Sequence, residues 1–338
     1  MTIRDVADYC GVSVSTVSRV LNNHPDVSAK VRNKVLSAVR ELHYVPNISA
    51  QDLGRNSSDN IGVVVRGAEN PFFVNLIHSI EEAIEAAGYT MIISQIPSDA
   101  DELEAGASLS RSKRLKGLVF LGGCFNYTAS EVAAIDIPFV CCTFTNEFGD
   151  LDSDSYSSVC VDDRAEAIRA VRYLIEQGHR RIAILLNDRE DESVGQLRFL
   201  GYCDALKEAG IDYDDGLVEE TGVYSMEAAY RAAKRLFARR DDFTAVFVTA
   251  DSLAMPVLKA ANDLGRKVPD ECSVIGFDGL TMSLYSIPTL TTLVQPSEKL
   301  GEEAVQTLLN VIEGKAKHQQ KVLKTTLRKG ESVTVVSI

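Results

Sequence analysis

On a helix turning about 100° per residue, Ser15, Ser18, Arg19 and Asn22 share one face, while Val17, Val20 and Leu21 share the opposite one. Short hydroxyls, an amide and a guanidinium exchange hydrogen bonds with base edges in a DNA groove, and the guanidinium favours guanine. A second group of chemically useful residues follows predicted strands far downstream: Phe72 and Phe73, Thr143 and Phe144, Asp251 and Asp278. Aromatic faces stack on a small ring, and carboxylates accept from its hydroxyls. Signals for catalysis are missing. No HExxH, GxSxG or Walker A pattern occurs, and Leu121-Gly-Gly-Cys124 is no dinucleotide fingerprint. Asp150-Leu-Asp-Ser-Asp154 imitates the start of a calcium loop, but Ser155 replaces the required glycine and Val161 the closing glutamate. The histidines at 24, 43, 78, 179 and 318 lack ligand spacing. No catalytic residue, metal or cofactor is expected.

The elements that must position the first group are short. Ile3, Val6, Ala7 and Cys10 recur at helical spacing, Thr2 with Asp5 forms a capping box, Gly11 supplies a tight turn, and Ser13 caps a second helix. This is a helix-turn-helix, with Val14, Ser15 and Arg19 directed at the major groove and Thr2, Thr16 and Ser18 beside them. Ser28 caps a third helix that buries Val31, Val35, Ala38, Val39 and Leu42. Lys30, Arg32 and Lys34 near its start suit phosphate contact, Lys30 best. Tyr44-Val-Pro46 stops that helix, Asn47–Leu53 connects, and Gly54–Asn60 is a flexible joint.

From Ile61 onward, short β-branched runs alternate with longer amphipathic ones, which implies parallel sheets with helices on both faces. Strands are predicted at 61–65, 89–94, 117–121, 138–142, 158–161, 181–186, 245–248, 273–275 and 288–293, with a last strand-like run at 332–336. The alternation restarts at Ser158, so two lobes with a cleft between them are expected. Ligands of such sheets bind beyond the carboxyl ends of the strands, where the second group of residues lies. Asp251 also suits the N-cap of the helix after it, and that role is favoured. Phe73 serves equally well as core.

The run Thr2–Asn22, with Val27-Ser-Ala-Lys30 and Tyr44-Val-Pro-Asn47, resembles the headpiece of the lactose-repressor (LacI/GalR) family. Asn70-Pro-Phe-Phe73, Gly178-His-Arg-Arg-Ile182, Val274-Ile-Gly-Phe-Asp278 and Pro288-Thr-Leu-Thr-Thr-Leu-Val-Gln-Pro296 extend the resemblance along the body. It implies an all-α helix-turn-helix headpiece followed by an α/β, two-lobed, periplasmic-binding-protein-like core of two doubly wound parallel sheets. It further implies that 47–53 is a hinge that turns helical on the operator. Asn47 and Ala50 then join the DNA-binding set, and Leu53 wedges into a minor-groove step. Ligand contact is assigned by resemblance to Phe72, Arg198, Asp278 and Tyr224. Relatives often carry Asn-Asp at Ala250-Asp251, an acid at Thr143 and Asp or Asn at Gly279. The chain therefore lacks hydroxyl partners for a simple hexose, and a larger, phosphorylated or less polar effector gains weight.

Composition is compatible with this. Seven lysines and arginines meet six carboxylates in residues 1–60, so a near-neutral headpiece precedes an acidic body in a chain of net charge −13. A weakly charged reader argues for two headpieces acting together. The seven cysteines (10, 124, 141, 142, 160, 203, 272) lack CxxC spacing and read as reduced core residues. With no signal peptide or membrane-length apolar run, a cytoplasmic location is expected. The resulting expectation is a repressor controlled by a sugar, sugar derivative or other small metabolite. It would bind a palindromic operator as a homodimer, since little chain follows Ser332–Val336. Expected bounds are 1–46 for the headpiece, 47–59 for hinge and linker, and 60–338 for the core. Within the core, one lobe is placed at 60–157 and 291–322 and the other at 158–290 and 323–338. The rivals are a regulator with a vestigial cleft answering to a protein, and a solute-binding protein.

Overall fold

The computed structural model describes residues 2–336 apart from 22, 23, 25, 43, 45–58 and 125. The expectations for Asn22, Asn47, Ala50 and Leu53, and for the hinge itself, lie outside the described residues. The chain divides into two units, Met1–Ser58 and Asp59–Ile338.

In the first unit, Thr2 Oγ1 accepts from Asp5 N (3.4 Å) and Asp5 Oδ2 accepts from Thr2 N (2.6 Å), so orphan amides at the start of α1 (Ile3–Cys10) are satisfied from both sides. Gly11 ends that helix at φ +61°, a left-handed conformation that costs glycine least. Ser13 Oγ accepts from Thr16 N at 3.2 Å and opens α2 (Val14–Leu21). Ser28 caps α3 (Ala29–Glu41). Val6, Ala7, Cys10, Val17, Val20, Val35, Ala38 and Tyr44 form the small core these helices share.

The second unit holds two six-stranded sheets. The first contains β1 (Asn60–Arg66), β2 (Thr90–Ile96), β3 (Gly117–Leu121), β4 (Phe139–Cys142), β5 (Ser157–Val161) and β11 (Gln320–Leu323), ordered β11-β5-β4-β3-β1-β2. The second contains β6 (Ile182–Leu186), β7 (Val218–Glu220), β8 (Ala245–Val248), β9 (Ser273–Asp278), β10 (Thr291–Val294) and β12 (Thr326–Arg328), ordered β12-β10-β9-β8-β6-β7. Pairings are parallel except β10 with the edge strand β12. Central strands such as β3 and β6 are buried throughout, as strands covered on both faces must be.

The helices are α4 (Phe72–Ala86), α5 (Glu102–Lys113), α6 (Ala129–Val132), α7 (Asp163–Glu176), α8 (Val194–Glu208), α9 (Met226–Arg239), α10 (Asp251–Asp263) and α11 (Ser297–Ile312). Helices α4 and α11 close the first sheet on one face with Leu76, Ile80, Leu300 and Leu308, whereas α7 and α8 pack on the second through Ala170, Leu174 and Tyr202.

The lobe boundaries differ from expectation. Ser157–Val161 hydrogen-bonds into the first sheet, so the chain first crosses after Val161 rather than before Ser158. Thr291–Val294 completes the second sheet, so the return crossing falls after Val294. Ser332–Val336 is not a strand. It is tied down by scattered bonds rather than a continuous ladder: Val274 N donates to Ser332 O (2.8 Å) and Val336 N to Gln177 O (2.8 Å), while Ser332 Oγ donates to Val274 O (2.6 Å) and Ser273 Oγ accepts from Thr334 N (3.0 Å).

Candidate functional site

On the reading helix, Val17 and Val20 are buried, which turns Val14, Ser15 and Arg19 outward to exposed positions with Thr16 and Ser18 half-buried. Lys30 is exposed on the first turn of α3. Arg19 Nη1 rests 2.9 Å from Asp26 Oδ2, and both side chains are about half exposed, so water competes for each partner.

In the second unit, both sheets change winding direction at one point, between β1 and β3 in one and between β6 and β8 in the other. The loops beyond these strand ends meet around a cavity of about 140 Å³ and a smaller chamber of about 60 Å³ that share Asn70, Phe73, Gly122, Gly123, Val194 and Arg198. The glycines are required there. A Cβ on Gly122, at φ +68°, would lie 2.9 Å from Arg66 O, and one on Gly123 would lie 2.6 Å from the Tyr127 hydroxyl.

Polar groups in the cavity are mostly engaged by protein partners. Arg66 Nε reaches Ala100 O (3.2 Å) and Glu102 Oε2 (3.5 Å). Arg198, 5 % exposed, gives Nε and Nη2 to Asp163 Oδ1, both at 2.8 Å, and Nη1 to Thr249 O (2.5 Å) and Asp278 Oδ1 (3.4 Å). Its plane lies over the Phe277 ring at 3.7 Å. Burial opposes the Arg198 charge, but the carboxylates of Asp163 and Asp278 more than offset it and raise its pKa. Burial pushes Asp163 up to about 6 against the pull of Arg198, and raises Asp278 as well.

One atom is left over. Asp278 Oδ1 accepts from Gln295 Nε2 (2.9 Å) and Arg198, while the buried Oδ2 has no partner in hydrogen-bonding geometry, although Asn70 lies near enough to lower its pKa. Asp278 (φ +108°) and Thr143 (φ +75°), which both line the small chamber, hold left-handed backbone conformations that non-glycine residues seldom adopt.

Residues 2–47 match the family model of bacterial regulatory proteins of the lacI family, and 171–333 match a periplasmic binding protein-like domain. The HTH-type transcriptional regulator MalR of Clostridium butyricum is 39% identical over 334 residues, 98% of this chain and 99% of MalR. The chain belongs to the lacI family of bacterial regulatory proteins. Among solved structures, the Lac repressor dimer bound to operator and the anti-inducer ONPF superposes with a TM-score of 0.80 at 26% identity, covering 99% of each chain. The transcriptional regulator CelR in complex with cellobiose follows at 0.71 and 27%, covering 98% of this chain and 99% of CelR. This lacI-family member is thus a DNA-binding transcriptional regulator with the Lac repressor fold.

The regulator brings Phe72, Phe73, Thr143, Phe144, Arg198, Tyr224 and Asp278 to the cavity or its chamber. Phe72, Phe73 and Phe144 are at once lining and core. Asp251 is neither N-cap nor lining: Ala250 occupies the cap, and both Asp251 oxygens face inward, accepting from Thr292 Oγ1 (2.6 Å) and Leu280 N (2.7 Å). Sequence reasoning missed Gln295, Asp163 and the Asn187-Asp188 pair beyond β6. The strand-end rule applied to every strand finds the pair; nothing local in the sequence marks Asp163. Cys141 and Cys142 are buried with raised thiol pKa values, as core residues should be. Among the described residues, no group of side chains is placed to hold a metal, and no helix is long and apolar enough to cross a membrane.

Proposed function

We propose that this regulator represses transcription in the cytoplasm as a homodimer on an inverted-repeat operator and is controlled by a small, uncharged, donor-rich molecule in its inter-lobe cleft. The observation that carries this reading is Asp278 Oδ2, a buried acceptor beside an open chamber that no donor, nearby Asn70 included, meets in hydrogen-bonding geometry. A ligand hydroxyl or N–H would satisfy it, and leaving such a group unpaired in a closed site costs about 1–3 kcal/mol. The Phe73 and Tyr224 rings would supply the apolar walls.

Charge argues against a phosphorylated ligand. Both guanidinium groups of the cavity are already held by carboxylates, and Asp188 and Asp191 add negative charge to the lining. A phosphate would have to displace a buried ion pair to find a cation. The CelR complex supports a neutral, hydroxyl-rich occupant, and the operator-bound Lac repressor dimer supports pairing of two copies. Tyr285 and Ile287, 80% and 96% exposed, leave apolar surface that such pairing would cover. In this reading Val14, Ser15 and Arg19 read bases and Lys30 touches phosphate. Residues 1–46, 47–59 and 60–338 act as reader, hinge and sensor.

A thermal-shift panel of neutral sugars, sugar phosphates and nucleobases tests it, because a ligand that binds only the folded state raises the melting point by mass action. A neutral sugar is expected to stabilise and to change operator affinity in a gel shift. A response confined to sugar phosphates would overturn the charge argument.

A further inference from the structure

The chain crosses between lobes at Asp162, between β5 and α7, at Gln295–Pro296, between β10 and α11, and at Lys324–Thr325, between β11 and β12. A change of lobe angle must be absorbed at these crossings, because the sheets and helices on either side are packed units. One side chain grips the first two. Arg198 holds Asp163, the residue immediately past the first crossing, with Nε and Nη2. Its Nη1 reaches Asp278 Oδ1, and that same oxygen accepts from Gln295 on the second crossing. Thr249 O and the Phe277 ring pin the guanidinium, so it cannot follow one carboxylate without loosening the other. The third crossing is held apart from the cleft. Arg169 bonds Thr325 O (3.4 Å) and Oγ1 (3.0 Å), and Thr325 Oγ1 donates to Glu166 Oε2 (2.7 Å).

We propose that Arg198 is a positioning residue that converts occupancy of the cleft into a change of lobe angle, acting on one crossing through Asp163 and on another through Asp278 and Gln295. This rests on reading the cleft as an effector site. A guanidinium has five N–H groups, and the bonds described here use four of them, so direct ligand contact is a small part of what Arg198 can do. A donor arriving at Asp278 Oδ2 competes for the charge that Oδ1 shares with Arg198 and Gln295. The Arg198 bond to Asp278, at 3.4 Å, is the longest of those that join Asp163, Arg198, Asp278 and Gln295, and the first to yield. Arg198, Asp278 and Asp163 are each 5% exposed or less, so little water reaches them to absorb the imbalance, and it passes to Asp163 and the first crossing.

The test uses the full-length protein, an operator selected from random duplexes, and cellobiose as probe. Asp163 lines neither chamber. In the wild type, saturating cellobiose is expected to change operator affinity by about 5–150-fold. In Asp163→Asn that ratio should fall below about twofold while the calorimetric cellobiose affinity stays within about threefold of wild type, a split that simple loss of packing does not produce. Arg169→Ala, which loosens only the third crossing, should keep the wild-type ratio. Retention of the ratio in Asp163→Asn, or equal loss in Arg169→Ala, overturns the proposal.

Amide hydrogen exchange without ligand gives an independent arm. Asp163→Asn should speed exchange in 157–163 and 294–297 by about tenfold, and Arg169→Ala should not. Unchanged exchange in Asp163→Asn overturns the latch whatever cellobiose does. Faster exchange in a protein that no sugar binds supports the latch and counts against the effector reading instead. Should Asp163→Asn fail to fold, Gln295→Met severs the second arm, and an unchanged ratio there is equally fatal.

Discussion

Arg19 on the reading helix and Arg198 in the cleft carry the same guanidinium into opposite surroundings. Arg19 is more than half exposed and meets one carboxylate, Asp26, which is itself half exposed. Arg198 is buried, stacked on a ring and engaged by Asp163, Asp278 and a carbonyl. Water screens the first pair and leaves its charge available to a partner from outside. The second group is shielded from water, so its charges are committed to one another and any loss falls on the fold. A reader of DNA needs the former condition and a sensor that transmits strain needs the latter. The contrast therefore separates residues whose mutation changes affinity from residues whose mutation changes stability first.

The sharpest way to break that contrast is Arg198→Ala. It strands Asp163 and Asp278 as buried carboxylates without their cation, and removing one partner of a buried pair costs about 3–5 kcal/mol. Urea denaturation should show a loss of that size. A loss below about 1 kcal/mol would mean that water reaches the pair and that the two arginines are alike.

Asp251 sharpens the same point through pH. Its carboxyl titrates near 3.9 when unfolded, but burial, with Asp278 close by, raises it to about 8 in the fold. Bonds from Thr292 and Leu280 N, and the charge of Arg328, pull the other way. The folded state therefore holds a proton that the unfolded state releases. The contribution is fully present below the unfolded pKa and is lost as pH rises through about 8. Stability should fall by on the order of 4 kcal/mol between pH 5 and 8, and Asp251→Asn, a neutral stand-in for the protonated acid, should flatten the slope. An unchanged slope in that variant would locate the pH dependence elsewhere.

The two regions also differ in how much the chain reveals of them. The signals that announce the headpiece are local: a capping box from Thr2 to Asp5, one glycine turn, one helical period. The α/β alternation of the core is similarly readable, since each strand or helix carries its own pattern. The cleft is not local. Asp163 meets Arg198 across 35 residues and Asp278 meets Gln295 across 17, through chain crossings that no periodicity announces. Arg198 and Tyr224 entered through family resemblance alone. Asp251 was legible as a helix start but not as a buried acceptor, because the end of β8 sets the helix one residue earlier. β7, β11 and β12 escaped because they are edge strands of three or four residues, with Glu, Gln, Lys and Arg among them.

Arg19→Ala tests the exposed side of the comparison. Affinity for the selected operator should fall by about 1–3 kcal/mol, with little change on random duplex, because a bidentate base contact carries sequence information and a phosphate contact does not. Folding stability should stay within about 0.5 kcal/mol of wild type, as for other exposed positions. Equal losses on both DNAs would reduce Arg19 to a phosphate contact.

Asp26→Asn is the smallest and most diagnostic change. Asp26 holds Arg19 Nη1 at 2.9 Å in the protein alone, and His24 Nδ1 approaches its other oxygen at 3.3 Å. An exposed pair of this kind is worth about 0–1 kcal/mol, so its removal should leave the melting point almost unmoved. Operator binding should respond more than folding does. The variant no longer has to give up the Arg19–Asp26 contact, and it presents one negative charge fewer to phosphate. A gain of about two- to fivefold at low salt is expected, shrinking as added salt screens the charge. The double variant with Arg19→Ala separates the two causes. If the gain comes from releasing Arg19 it disappears in that background, and if it comes from the removed charge alone it persists. Persistence would mean that Asp26 acts only as a charge near phosphate and does not hold Arg19 back, whereas a loss of stability larger than the gain in affinity would place Asp26 in the scaffold of the reading helix and would show that the pair is less exchangeable than its surroundings imply.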